Sequence, residues 1–196
     1  EDLVKRANEA AQKEGVADRV RFMKADLFKT DISQASVITM YLLPDTVNLL
    51  KDKFLGELKP GTRIVSHDYP LTGWIPEKYV HMDLEDKVQI SGVTTTLIYL
   101  YVVPAKVAGN WTARMPPAVS RAPATLSLNQ QLTRVSGSAT VDGKNVPLED
   151  VVLRGDKLSF RFAGRKGEFT GQVRGNAIEG MFDSGGNKSG WSAAKG

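Results

Sequence analysis

Residues 35–68 read ASVITMYLLPDTVNLLKDKFLGELKPGTRIVSHD, and this stretch decides the fold. Ala35 to Leu43 is a nearly continuous apolar run. Such runs suit strands covered on both faces of a parallel sheet. Pro44-Asp45 ends the run and opens a helix, with Asp45 placed as its N-cap. Val47, Leu50, Phe54, Leu55 and Leu58 fall on one face of that helix. Leu58-Lys59-Pro60-Gly61 stops it, and Thr62 to Asp68 reads as a second strand whose polar residues gather at its end. Strand, helix and strand in this order predict α/β alternation and a parallel sheet.

Working outward, Leu3, Val4, Ala7, Ala10 and Ala11 keep helical spacing, and Gly15 suits the C′ position of that helix. Val20 to Met23 alternates as a strand does, and Ala25 to Phe28 follows as a loop. On the other side, Tyr79 to Met82, Lys87 to Ser91 and Thr94 to Val103 read as strands without intervening helices. Gly92 would turn the last two into an antiparallel hairpin. The expected first domain is residues 1–106, an α/β sheet ending in that hairpin.

Composition changes after this point. Residues 1–107 carry 14 Lys and Arg against 15 Asp and Glu, while residues 108–196 carry 12 against 7. Five glycines lie in the first part and 13 in the second. Two regimes in one chain suggest two domains. Pro104, Pro116, Pro117 and Pro123 mark a linker over 107–123. Beyond it, short strands recur: Thr125–Leu128, Arg134–Val141, Val146–Arg154, Lys157–Ala163, Glu168–Arg174 and Ala177–Phe182. Turns at Asp142-Gly143, Arg154-Gly155-Asp156 and Arg174-Gly175-Asn176 separate them. Residues 124–196, or 109–196 if Trp111 belongs with them, read as an antiparallel meander closing into a small barrel or sandwich. Trp111 and Trp191 sit where the ends of such a meander would meet. Arg161, Arg165, Lys166 and Arg174 could share a basic face, which would make the β domain a binding module. Few aromatics interleave with them, which argues against a nucleic-acid platform.

The composition also excludes chemistry. There is no cysteine, so disulfides and thiolate sites are ruled out. Two histidines, His67 and His81, cannot make a three-histidine zinc site, and no metal is expected. The longest apolar runs, such as Leu97 to Pro104, are too short for a transmembrane helix.

DLVKRANEAAQKEGVADRVRFMKADLFKTD (2–31), ITMYLLPD (38–45) and LLKDKFLGELKPGTRIVSHDY (49–69) together resemble class I S-adenosylmethionine-dependent methyltransferases. The closest likeness is to a bacterial group of small methyltransferase-domain proteins. These are distantly similar to protein-lysine methyltransferases of the mitochondrial ATP-synthase type. The resemblance covers residues 1 to about 106. It implies a Rossmann-like sheet of strand order 3-2-1-4-5-7-6, S-adenosylmethionine as cofactor, and an amine acceptor such as a protein lysine. Asp26 would accept a hydrogen bond from the adenine amino group, with Leu27 beside the ring. Met40 and Tyr41, at the end of the active-site strand, would line cofactor and acceptor. Tyr41, His67 and Asp68 are the candidate catalytic group. YLLP stands where enzymes that methylate bases or glutamine carry an Asn or Asp and two prolines, so those acceptors are disfavoured.

The family's glycine-rich first motif and its ribose-binding acid are absent from this sequence. The expectation is a methyltransferase domain truncated before that motif and inactive alone. Its sheet would need the missing strands, a second copy supplying them by strand exchange, or a new pairing. The pattern GDKLSF…GEFTGQV…GNAIEGMF…GW resembles a β-meander module appended to many bacterial exported proteins. Both a cytoplasmic and an exported location fit these features.

Overall fold

The computed structural model describes residues 2–196. They form two compact units, one ending at Ile32 and the other spanning Ser33–Gly196.

The first unit holds helix α1 (Asp2–Lys13). It ends as its sequence predicts: Gly15 takes φ 66°, its N–H reaches the Gln12 carbonyl, and the Val16 N–H reaches the Ala11 carbonyl. This paired reach-back satisfies carbonyls that the last helical turn leaves open. Val20–Met23 is not a strand. The alternation is present, but no ladder forms on it, and a strand exists only through its partners. Val20, Phe22 and Met23 remain exposed.

The second unit begins with a four-stranded mixed sheet. Strand β1 is Val37–Met40, β2 Arg63–His67, β3 Lys78–Asp83 and β4 Thr95–Val102. The order is β1-β2-β4-β3, with β1 parallel to β2 and both other pairings antiparallel. Between β1 and β2 the expected single helix is two: α2 (Pro44–Leu49) and α3 (Lys51–Glu57), broken at Leu50. The N-cap of α2 is Leu43 rather than Asp45, because Pro44 takes the first helical position. Val47, Leu50 and Phe54 are buried, as are Ile64, Leu71, Trp74 and Tyr101.

The closing hairpin has a different partner from the one expected. Lys87–Ser91 is not a strand. A 3₁₀ turn at Glu85–Lys87 runs into the one-turn helix α4 (Val88–Ser91), which ends at Gly92 with φ 77°. β4 instead pairs with β3, and this turn joins the two. The alternation of Val88 and Ile90 did not reflect a buried face, since Ile90 is 84% exposed.

Eight further strands close into an antiparallel barrel. They are β5 (Gly109–Arg114), β6 (Ala124–Gln131), β7 (Arg134–Val141), β8 (Lys144–Arg154), β9 (Lys157–Phe162), β10 (Glu168–Arg174), β11 (Ala177–Ser184) and β12 (Asn187–Lys195). β5 and β12 were not expected as strands, although a start at Gly109 was. Their pairing shuts the barrel. Trp111 and Trp191 lie on these strands. Trp111 faces Lys195 across the closure, and Trp191 packs edge-on against Phe160 and Phe169. Inward residues of every strand fill the interior, as an eight-stranded barrel requires. Nine residues, 115–123, connect β5 to β6. They are pinned by Ser120, whose hydroxyl donates to Asp142 at 2.8 Å.

Sheet and barrel meet at glycines. A Cβ on Gly155 would lie 2.9 Å from the Gly61 Cα, and Gly155 takes φ 61°. The Gly155 carbonyl accepts from Ala105 N–H at 2.8 Å, and Arg154 pairs with Glu77 at 2.6 Å. Gly155→Ala is expected to cost about 2 kcal/mol, from the left-handed backbone and the displaced Gly61 together. Urea denaturation checks this, and an unchanged midpoint would refute it.

Candidate functional site

The two parallel strands end side by side, β1 at Met40 and β2 at His67, with Met40 in register with Ser66. In open α/β sheets, ligands bind beyond these carboxyl ends. Tyr41 follows β1 and is 57% exposed. Its ring lies 4.4 Å from the His67 ring, centre to centre, tilted by 31°. Three of the sequence candidates, Tyr41, His67 and Asp68, thus form one cluster.

Asp68 turns the chain out of β2 with φ 63°, a conformation that Asp tolerates better than most residues. Its backbone N–H donates to the Leu97 carbonyl at 2.7 Å, and its Oδ1 accepts from the Leu97 N–H at 3.1 Å. Its Oδ2 accepts from Lys87 Nζ at 2.6 Å. Burial pushes the Asp68 carboxyl upward, but the Lys87 and Leu97 hydrogen bonds and the charges of His67 and Lys87 outweigh it. The group sits below its ordinary value. Asp68 is therefore an ionised anchor. A carboxylate held this firmly is a poor general base.

Lys87 was missed by sequence reasoning. Its side chain is 9% exposed, and Nζ also donates to the Thr95 carbonyl at 2.5 Å. Nothing in EDKVQIS distinguishes this lysine from a surface one, because its burial depends on β4 passing beside it. His67 Nε2 is buried without a hydrogen-bond partner. Asp68 Oδ1 is 3.5 Å away but poorly aligned. A buried, unpartnered ring nitrogen facing a carboxylate is the feature here that most invites a ligand or a proton. On β4, opposite Ser66, the Tyr99 ring stacks on Tyr101 and lies tilted against Tyr79. Burial, Tyr79 and Asp68 push its phenol upward, so it stays neutral.

The remaining candidates are placed differently. Met40 is half-buried at the end of β1. Asp26 and Leu27 belong to the first unit. Asp26 Oδ1 accepts from the Phe28 N–H at 2.9 Å, and its backbone carbonyl accepts from Thr30. Its Oδ2 lies 3.7 Å from Lys29 Nζ. Leu27 is 40% exposed, and Phe28 is exposed too. Trp74 is buried against Tyr101. His81 is exposed on β3.

The supposed basic face breaks up. Arg161 pairs with Asp150 at 3.2 Å, and Arg174 donates to Gln172 at 3.0 Å. Arg165 and Lys166 lie beyond the opposite end of β10 from Arg174. Among the described residues there is no cluster of metal-ligating side chains, and no helix is long and apolar enough to cross a membrane.

Known proteins match part of the chain. Residues 1–78 match the model of the ANTKMT methyltransferase domain. A protein-lysine N-methyltransferase of Saccharolobus islandicus (strain REY15A) is 38% identical over 103 residues, covering 53% of this chain and 60% of that protein. The adenine nucleotide translocase lysine N-methyltransferase of Mus musculus is 34% identical over 74 residues, covering 38% and 32%. The crystal structure of an RNA methyltransferase from Salinibacter ruber with S-adenosyl-L-homocysteine is 39% identical. It covers 54% of this chain and 62% of that one, with a TM-score of 0.46. The chain thus spans about 60% or less of the length of these curated relatives. Residues 1–78 match a methyltransferase-domain model, and part of the chain is similar to enzymes named for methylating protein lysines.

Proposed function

We propose that this chain is part of an S-adenosylmethionine-dependent methyltransferase acting on an amine, with a protein lysine as the favoured acceptor. The observation that carries the reading is the Tyr41–His67 pair at the carboxyl ends of two parallel strands, inside a segment that matches a methyltransferase domain. The order β1-β2-β4-β3 supports the finer, Rossmann-like assignment, since it corresponds to the 4-5-7-6 end of the expected sheet.

The cofactor, when bound, supplies a sulfonium methyl group. The residues present suit its adenine end. Asp26 Oδ2 is not used in the bond to the Phe28 N–H and has only the exposed Lys29 ammonium near it among the described residues, and the exposed side chains of Leu27 and Phe28 offer apolar cover. Tyr41 would form the wall along which an acceptor amine approaches, and His67 would hold the ring in place. An amine must arrive deprotonated, so orientation and exclusion of water are the main contributions of this wall. Asp68 serves through its charge and its grip on the end of β2.

The chain carries no glycine-rich first motif, and β1 is the outermost strand of its sheet. The 196 residues alone are therefore expected to show no heat on titration with S-adenosylhomocysteine. Micromolar binding would overturn that expectation. The wider reading is tested on the product of the complete gene. Micromolar binding there, weakened about tenfold or more by Asp26→Ala, is the expected result. No binding by that product would overturn the methyltransferase reading.

A further inference from the structure

Four neighbouring strands of the barrel, β8 to β11, carry a shallow groove of about 460 Å³ on their outer face. Its layout follows from the strand register. Val152, Ser159, Thr170 and Met181 stand side by side in one row across the four strands. Arg154, Lys157, Gln172 and Glu179 form the next row. These side chains point outward, because residues that alternate with them, such as Leu153, Leu158 and Phe169, fill the core. Val152 is 56% exposed and Met181 43%, and the shorter Ser159 and Thr170 leave a trough between them. Lys157 and Glu179 have no ion-pair partner among the described residues. Arg154 places one guanidinium nitrogen on Glu77 and keeps further N–H donors.

We propose that this face docks a second copy of the chain, about a two-fold axis running along the strands between β9 and β10. Such an axis lays β8 over the copy's β11 and β9 over its β10. Val152 then meets the copy's Met181, and Met181 meets the copy's Val152, so each contact is made twice. Glu179 comes over the copy's Arg154 and within one strand spacing, about 4.8 Å, of its Lys157. The charge pattern selects this occupant. The polar row has its two cations, Arg154 and Lys157, on β8 and β9, neutral Gln172 on β10 and the anion Glu179 on β11. Such a row is complementary to its own reverse, which is what the two-fold axis presents. A uniformly acidic or basic partner would be attracted at one end and repelled at the other. The axis also keeps the strands of the two faces aligned, as face-to-face sheets prefer. The proposal concerns the barrel and does not rest on the methyltransferase reading.

Sedimentation equilibrium of the 196-residue chain tests it. The mass should rise with concentration from that of one chain towards that of two. The contact is small, so a dissociation constant of roughly 100 μM is expected. Lys157→Glu and Glu179→Lys should each weaken association about tenfold or more at low salt, because each sets like charges against each other twice. An equimolar mixture of these two variants should associate as the parent does, since each then presents the charge that the other needs. Met181→Ser should also weaken association about tenfold. All three side chains are exposed, so the variants should keep the parent melting temperature. A parent that stays monomeric at about ten times the expected constant would overturn the proposal. So would charge variants that associate like the parent, which would place the contact on another face, or a mixture that stays monomeric.

Discussion

Gly180→Ala is expected to unfold the barrel at a temperature lower by roughly 10 °C. Gly180 on β11 faces Gly171 on β10 and Trp191 on β12. The indole of Trp191 lies across both glycines, and its Nε1 donates to the Thr170 carbonyl at 2.9 Å, one strand beyond its immediate neighbour. A Cβ on Gly180 would stand 1.9 Å from that same carbonyl oxygen and 2.7 Å from the indole nitrogen. The backbone oxygen cannot move without breaking the ladder, and the indole cannot move without leaving Phe160 and Phe169. Overpacking against backbone, with the loss of this hydrogen bond, costs about 3 kcal/mol or more. For a chain of this size that is of order 10 °C in melting temperature. Gly171→Ala meets the Ile178 methyl at 2.8 Å and the indole at 3.0 Å, and should cost less because side chains can yield. Differential scanning calorimetry of the two variants gives the ranking directly. Equal melting temperatures for Gly180→Ala and the parent would remove Trp191 from this role.

Lys87→Met is expected to destabilise the sheet by about 2 kcal/mol. Removing one partner of a buried pair costs about 3–5 kcal/mol, because the other charge stays behind unpaired. Here the Asp68 side chain keeps 17% exposure, so water recovers part of the loss. The pH dependence has a definite sign. Asp68 is held below its ordinary value in the folded state, so its contribution is fully present above the unfolded carboxylate pKa. It is lost as the pH falls through the lower, folded value. The stability difference between the parent and Asp68→Asn should therefore be flat near neutral pH and shrink with acidification below about pH 4. Urea midpoints between neutral and acid pH measure it. A difference that grows as the pH falls would mean that Asp68 gains nothing from Lys87.

Much of this architecture could be read from local chemistry. The barrel turns were legible because Gly143, Gly155 and Gly175 all take positive φ, which glycine permits freely. The helix between β1 and β2 was legible from its apolar face, and its break at Leu50 was not. β12, with Ser, Gly, Ala and Lys among its residues, has little strand preference of its own. It is a strand because β11 and β5 pair with it on both sides. Val20–Met23 shows the converse, alternation without a ladder. In the candidate site, Tyr41, His67 and Asp68 were legible because they stand at the ends of recognisable strands. Lys87 was not, since its role exists only where a turn far along the chain brings it 2.6 Å from Asp68.

The barrel's closure also sets how it can form. Seven of its eight pairings join strands adjacent in sequence, and only β5 with β12 brings distant segments together. Local hairpins can zip in any order, but the last seam must wait for both ends to be present. A nascent chain emerging from the ribosome reaches β12 last. Until then it exposes an open sheet with two free edges, the arrangement most prone to pairing with other molecules. Residues 187–195 are thus the segment that converts a sticky intermediate into an edgeless product.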